Sequence, residues 1–443
     1  QIVRDVRFNA LDQVESRTIE TRDDSAEPDK ITVQKIKNIA YDIKGRVTGS
    51  TTDTRETGTA RDAAGTVVGR LDHSFTTVVS DTKYNDLDQV VARTTTKLND
   101  TAAPALTTLT RELDITYDIQ GRTTGNTAIT REFGVDTATG SVLDHTSTST
   151  TANIRYDEYG RVAGRDVMVR DSASPDLTTF QSVGQISYDN FGREVGSITA
   201  TREVGAGGTL DRSFVTEVSG TQFNSLGQGT ARVTLTRNDT AAPDLTVLSI
   251  VGDIKFDVQG RQISAVTTTK QSGEVLNALG ALVARLDTTS TSTSVTLAFN
   301  SLGQATARDT VSTDSSAPDK ITTDQVREIR YDDQGRTVAS VTTRTEQNVK
   351  AQPSAPGAKP EVHTSVITLS NVQFNTLGQV TARTTTITKD SAAPDKITTT
   401  REYGLKYDDQ GRASESHSET TERGGNLFKS VTSDRITIRY NSL

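Results

Sequence analysis

The chain has 443 residues, 33% of them hydrophobic and 5% aromatic, with one Met and no Cys or Trp. A compact body of that length would be richer in apolar residues, and the lack of Cys excludes disulfide staples and thiolate-held metals. The formal charge is −8 with both signs interspersed, which excludes the basic face that nucleic acid requires; no apolar run approaches the roughly 20 residues of a membrane-spanning helix.

In chain order, one six-residue segment recurs. It opens at Phe8, Tyr41, Tyr84, Tyr117, Tyr156, Tyr188, Phe223, Phe256, Phe299, Tyr331, Phe374 and Tyr407, and begins again at Tyr440. It reads Tyr-Asp-x-x-Gly-Arg, as in Tyr117, Asp118, Gly121 and Arg122, or Phe-Asn-x-Leu-Gly-Gln. Asp and Asn bond their own backbone two residues on, and Gly supplies positive φ. The pattern predicts a strand running into a tight turn. Two copies carry Asp12 and Asp88 in place of the Gly, and Asp is one of the few residues that sit there at modest cost. Two residues before the aromatic stand Ile39, Ile115, Ile186, Ile254, Ile329 and Leu405. That spacing puts both side chains on one strand face, so the core is expected there. Disorder would suit the composition, but the strict repeat and the Thr and Val runs predict strands.

Two repeat types alternate. Those opening at Phe8, Tyr84, Phe223, Phe299 and Phe374 carry Asn second and Gln sixth; Tyr156 is a drifted member of this class. They are 32 or 33 residues long, with a Pro turn about 20 residues in, at Pro28, Pro104, Pro175, Pro243, Pro318 and Pro394. Pro presets φ for a turn and cannot pair in a central strand. Each is therefore a hairpin of two strands of about 12 residues, roughly 40 Å long. The Asp/Arg type runs from 33 to 43 residues, and its far loop varies, as at 60–66 and 351–357. Variable loops on a regular scaffold are where recognition is placed, although tolerated insertion explains them as well. Together the two types form a super-repeat of about 76 residues across one continuous array, 1–443. The chain opens in mid-strand and stops inside a turn motif, so it is expected to be a segment of a longer chain. Aromatic turns should line one edge, with Pro turns and variable loops along the other. Two hairpin types suggest two opposed sheets with a thin core; a single-layer spiral is the alternative.

A second signature lies nine residues after the aromatic: Arg17, Arg93, Arg165, Arg232, Arg308 and Arg383 in one type, and Ser50, Asn126, Ser197, Ala265, Ser340 and Ser416 in the other. Each Arg is expected to lie over the small residue of a neighbouring hairpin and meet a carboxylate, such as that neighbour's turn Asp. Its planar fork suits that place. A solvated cross-strand charge is the plain alternative.

Little here points to catalysis. His73, His145 and His363 stand eleven residues before the next aromatic, where other copies have Arg212, Thr288 and Lys429. A position that accepts all four residue types reads as a solvated strand start. His417 is isolated, so neither a zinc site nor a His-activated nucleophile is expected. The carboxylates recur once per repeat, which marks them as structural rather than as a glycosidase pair. Turn Asp residues could offer oxygens to calcium, but they make these turns without metal; no cofactor is expected. Asn99 and Asn238 match the N-glycosylation pattern at the Pro turn, a match expected by chance.

The hexapeptides Tyr41-Asp42-Ile43-Lys44-Gly45-Arg46 and Tyr331-Asp332-Asp333-Gln334-Gly335-Arg336 resemble the YD-repeat, or rearrangement hot-spot, family. The resemblance extends over the whole chain, once per repeat. It implies long β-hairpins spiralling into a shell, in large secreted or surface proteins of bacteria, some encasing a toxin domain, and adhesion proteins in animals. The spacing here, 32 to 43 residues, is longer than that family's, and the two-type alternation is not typical of it. Taken together, the expectation is an all-β array of long antiparallel hairpins. It would be a non-catalytic fibre, sheath, spacer or shell scaffold at the cell surface or outside the cell, associating with its own copies through sheet edges or faces. An adhesin using the variable loops and an enclosure for a cargo or toxin domain are the alternatives.

Overall fold

The computed structural model describes residues 1–22, 25–276, 282–348, 362–424 and 427–435. The motif at Tyr440 and the loop 351–357 lie outside the described residues, as does Asp24 of the first Pro turn. Twenty-five strands, from β1 (Ile2–Phe8) to β25 (Leu427–Arg435), follow one another antiparallel in one sheet. A single 3-10 turn, Ala206–Gly208, interrupts them, and no α-helix occurs among the described residues. Thr-rich stretches form the strands because branched side chains pack well on a pleated surface. Thr110, for example, meets Thr130 across the ladder at 3.2 Å.

Both hairpin types belong to that one ladder and alternate along it. The expectation of two opposed sheets is therefore overturned, and the single-layer spiral is what the chain adopts. Three residues before most of the aromatics the strand carries a bulge. Asn38, Asp81, Asp114, Asn153 and Asp253 sit there with φ between 50° and 54°. The bulge resets the alternation: Ile36, Ile39 and Tyr41 are half-buried, while Lys37, Asn38 and Ala40 are exposed. Extra twist of this kind curves a ribbon.

The curved ribbon meets itself. Its aromatic edge docks on the far-loop edge of hairpins five or six repeats earlier. Ala105 donates to the Ser301 carbonyl at 2.8 Å, Asp176 to Thr376 at 3.0 Å and Asp144 to Asp333 at 2.6 Å. About ten strands separate the joined edges. With strands about 4.8 Å apart and a ribbon about 40 Å wide, one winding closes on a backbone diameter of roughly 20 Å. The accessible surface is 24768 Å², against about 16,000 Å² for a compact protein of this mass.

Most of the buried apolar residues lie at this seam, although Ile19, Val183 and Ala265 are buried within the ladder itself. Leu226 is 3% exposed and packs with Ala60 and Leu71; Leu302 is 4% exposed. The core is therefore not at the Ile–aromatic pairs, which stay half-buried. A one-layer sheet leaves each face only partly covered, so most of the apolar groups that leave water do so where two edges meet.

Candidate functional site at the joint between windings

Each Asp/Arg turn is built the same way. The Asp42 carboxylate accepts from the amides of Lys44 and Arg46, each at 2.9 Å, and from Arg46 Nε at 2.7 Å. The Arg46 amide, opposed by desolvation and helped by the guanidinium, holds this carboxyl below its ordinary range. Asp118 with Arg122 and Asp332 with Arg336 repeat the arrangement, and Gly45, Gly121 and Gly335 supply φ of 78° or 79°. In the other type Asn takes the place of Asp and Gln that of Arg. Asn300 Nδ2 donates to Gln304 Oε1 at 2.8 Å, an uncharged copy of the same geometry.

The turn Arg makes two further contacts. Its guanidinium lies over the next repeat's aromatic, 4.2 to 4.6 Å from the ring centre, in six successive turns from Arg46 over Tyr84 to Arg336 over Phe374, Arg161 over Tyr188 among them. From Arg193 onward it also donates to a carbonyl in a Pro turn one winding back: Ala26 at 2.9 Å, Ala102 from Arg261 at 3.0 Å, Ala173 from Arg336 at 2.7 Å and Ala241 from Arg412 at 3.4 Å. One side chain thus closes its own turn, holds the next hairpin and joins two windings. Its sixth-place recurrence was visible in the sequence, but its reach across 159 to 171 residues was not.

The motif Tyr hydroxyls align the turns. Tyr41 Oη donates to the Val14 carbonyl at 2.7 Å, Tyr117 to Val90 at 2.6 Å and Tyr331 to Ala305 at 2.7 Å. Tyr117→Phe should lower stability by about 1 kcal/mol, the net worth of one such bond, without loosening the turn, because Phe256 already serves at an equivalent place. Urea midpoints would measure it, and an unchanged midpoint would deny the bond a role.

The Asn/Gln turns contribute a hydroxyl and a Leu to the joint. Ser225 Oγ accepts from the Arg61 amide at 2.9 Å and donates to the Thr59 carbonyl at 3.2 Å. Ser301 Oγ accepts from the Thr137 amide at 2.8 Å and donates to Asp136 at 2.9 Å, while its amide donates to the same carboxylate at 3.1 Å. Asp136 is 1% exposed and also receives the Thr139 hydroxyl and amide. The Thr139 hydroxyl first, then the Ser301 donors, against desolvation, bring its carboxyl to a pKa of about 2. Nothing in the repeat pattern marks this group, because Asp136 lies in a far loop of variable length.

The His residues are not solvated strand starts. His73 Nε2 is 2.7 Å from Asp100 and its Nδ1 is 3.3 Å from Glu56; His145 and His363 bridge Asp171 with Glu132 and Asp390 with Glu346. Arg212 does the same with Asp239 and Glu203. The position ties a Pro-turn Asp to the preceding hairpin, a bridge that a His ring or an Arg guanidinium can span; with Thr288 the corresponding Asp314 turns to Ser316 instead. The Asp390 bond raises the His363 pKa above 6.5, with Glu346 adding to it. A raised pKa means stabilisation that is complete below 6.5 and lost as pH rises through the folded value. His363→Arg should abolish that loss. Melting temperatures at pH 6 and pH 9 would show it, and equal slopes in both proteins would contradict it.

The nine-offset Arg residues fall short of their expected role. Arg93 and Arg383 pair with Glu112 and Glu402 of their own hairpins. Arg165, Arg232 and Arg308 stand opposite Val183, Val251 and Val326. None reaches a turn Asp among the described residues, since each turn Asp is already held by its own Arg or amides. No group of three His, Cys, Asp or Glu arranged for a metal occurs among the described residues. An open groove of about 690 Å³ crosses five neighbouring strands and is lined by Met168, Phe180, Ala200, Val215, Asp166 and Arg202. No helix among the described residues is long and apolar enough to cross a membrane.

No protein-family model matches the chain, and no curated protein matches it. Among solved structures, a Tc holotoxin pore of Photorhabdus luminescens aligns with 94% of this chain and 26% of that chain, at 11% identity and a TM-score of 0.13. A TcdB2–TccC3 crystal structure aligns with 97% of this chain and 34% of that chain, at 11% identity and a TM-score of 0.12. The chain spans about a quarter to a third of the chains it matches. Superpositions this poor transfer no property of those proteins.

Proposed function

We propose that the chain is a structural scaffold, a narrow wound ribbon acting as spacer or fibre segment in an extracellular or cell-surface assembly, with no catalysis of its own. The observation that carries this reading is the joint. The turn Asp, Asn and Gln side chains, which are among the most regular polar groups in the chain, are spent on closing the turns, and the turn Arg from Arg193 onward on holding windings together. A winding roughly 20 Å across has no room for a folded domain, whose radius of gyration is about 13 Å at 100 residues. That favours spacer over cargo shell. The groove at Met168 and Phe180 is the one observation favouring a binding module instead. Electron microscopy of single particles should show rods roughly 80 Å long and 30 Å across. A wide empty shell or a compact body would refute the scaffold reading.

A further inference from the structure

We propose that His145 is a proton-dependent staple of the joint between windings, one that loosens as pH rises, and that Arg212 is its permanent counterpart in the next super-repeat. The inference concerns the joint alone and holds whatever work the array performs.

Three Pro turns meet the next winding through a carbonyl two residues after their Asp. Ala102 accepts from Arg261, Ala173 from Arg336 and Ala241 from Arg412. The amide of the same residue donates to that Asp: Ala102 to Asp100 and Ala173 to Asp171 at 2.8 Å, and Ala241 to Asp239 at 2.9 Å. The carboxylate therefore fixes the residue whose carbonyl reaches across. It is held in turn by a side chain just past the far loop of the preceding hairpin, His73, His145 or Arg212. The three joints differ in how firmly. Arg212 grips Asp239 with Nε at 2.9 Å and Nη2 at 2.5 Å, and a guanidinium stays charged at any ordinary pH. Asp100 has Lys97 at 2.6 Å besides His73. Asp171 pairs, among the described residues, with His145 alone, at 2.8 Å.

His145 also stands between two pieces of one winding that touch the same turn of the next. Asp144, beside it, donates its amide to the Asp333 carbonyl at 2.6 Å, and its own carbonyl accepts from Gln334 Nε2 at 2.9 Å. Ser172 and Ala173, beside Asp171, meet Gln334 and Arg336. The bond from His145 to Asp171 thus braces both footings of the turn that runs from Asp332 to Arg336. The charged groups around the ring are Asp171 and Glu132; the latter is its ladder partner on the strand Thr123–Val135, with Oε2 3.8 Å from Nδ1. Attached to its neighbours are two closed pairs, Asp144 with Arg131 and Asp332 with Arg336. A protonated ring donates from both nitrogens, bonds Asp171 with charge assistance and offsets Glu132. A neutral ring keeps one N–H; with that spent on Asp171, it turns a lone pair towards Glu132. Imidazole in ordinary surroundings changes charge between pH 5 and 8, so the brace is strong at the acid end of that range and weak at the alkaline end.

Hydrogen exchange tests this within one molecule, because the Asp144 and Asp211 amides cross equivalent joints, to the carbonyls of Asp333 and Asp409. Between pH 5.5 and pH 8.5 the protection factor at Asp144 should fall about tenfold, the worth of one unit of pKa difference, while that at Asp211 stays level. His145→Arg should remove the fall. His145→Gln, which can donate a hydrogen bond but never carries charge, should show the low protection at both pH values. Protection at Asp144 and Asp211 that moved together with pH would overturn the proposal, and so would a fall that survived in His145→Arg. The comparison of the two amides in the parent protein stands even if a variant fails to fold.

Discussion

Gly134→Val should destabilise the protein by about 3 kcal/mol, with the loss concentrated at one seam. Gly134 closes the strand Thr123–Val135, opposite Leu106 and Leu143. Ala105 immediately precedes Leu106, the ladder partner of Gly134, and its carbonyl lies over Gly134. A Cβ at Gly134 would fall within bonding range of that oxygen and 2.6 Å from Leu302 Cδ2. The first neighbour is backbone already committed to Ser301 through the Ala105 amide, so it cannot yield alone. The valine would push apart the Pro turn and the buried Leu302 together, and the joint would open. Gly140→Ala is the control: it has φ of 71° and nothing within 4 Å, so it should cost only about 1 kcal/mol of backbone strain. Urea unfolding would rank the two. If Gly134→Val were no worse than Gly140→Ala, the seam would not be where the stability resides.

The hairpin array was legible because its signals are local. Asp42 with Gly45 specifies a turn and Pro104 specifies another, whatever surrounds them. The spacing between them sets strand length, and a strict alternation of spacings sets which turns share an edge. The bulge was legible as well, though only in hindsight. The position three before the aromatic holds Asn38, Asp81, Asp114, Asn153, Gly220 and Gly404, residues that tolerate positive φ. The joint was not legible. Its partners lie about 160 to 170 residues apart, and which residues meet depends on curvature, the sum of many small twists. Nothing at Arg261 announces Ala102. For the same reason the nine-offset Arg residues drew more weight than the turn Arg: regularity in sequence measures selection on a place, not which neighbour it serves. The His positions accept Arg, Thr and Lys in other copies, which reads as solvation in the sequence, yet in the structure His73, His145, His363 and Arg212 each bridge two carboxylates.

Asp136 supplies the other large effect, and it depends on pH. Its folded pKa of about 2 lies below the ordinary 3.8. A depressed carboxylate contributes stability above the unfolded value and loses it as pH falls through the folded one. The window is therefore pH 4 down to pH 2. The shift corresponds to about 2.4 kcal/mol at full strength; in a sheet one layer thick water lies close to the carboxylate even though its own surface is covered, and screening reduces the figure to about 1–2 kcal/mol. Asp136→Asn should accordingly be about 1–2 kcal/mol less stable than the parent at pH 6 and equal to it near pH 2, because protonation does to the parent what the substitution does to the variant. The other acids also titrate in this range, so the difference between the two proteins is the informative quantity, not either curve. Ser301→Ala separates the joint from the loop. Asp136 receives Thr139 from its own loop and Ser301 from the next winding. If the winding contact matters, the two substitutions should be non-additive by more than about 0.5 kcal/mol. Simple additivity would leave Asp136 as a residue that merely shapes its own loop. The acid sensitivity of the seam would then have to come from elsewhere.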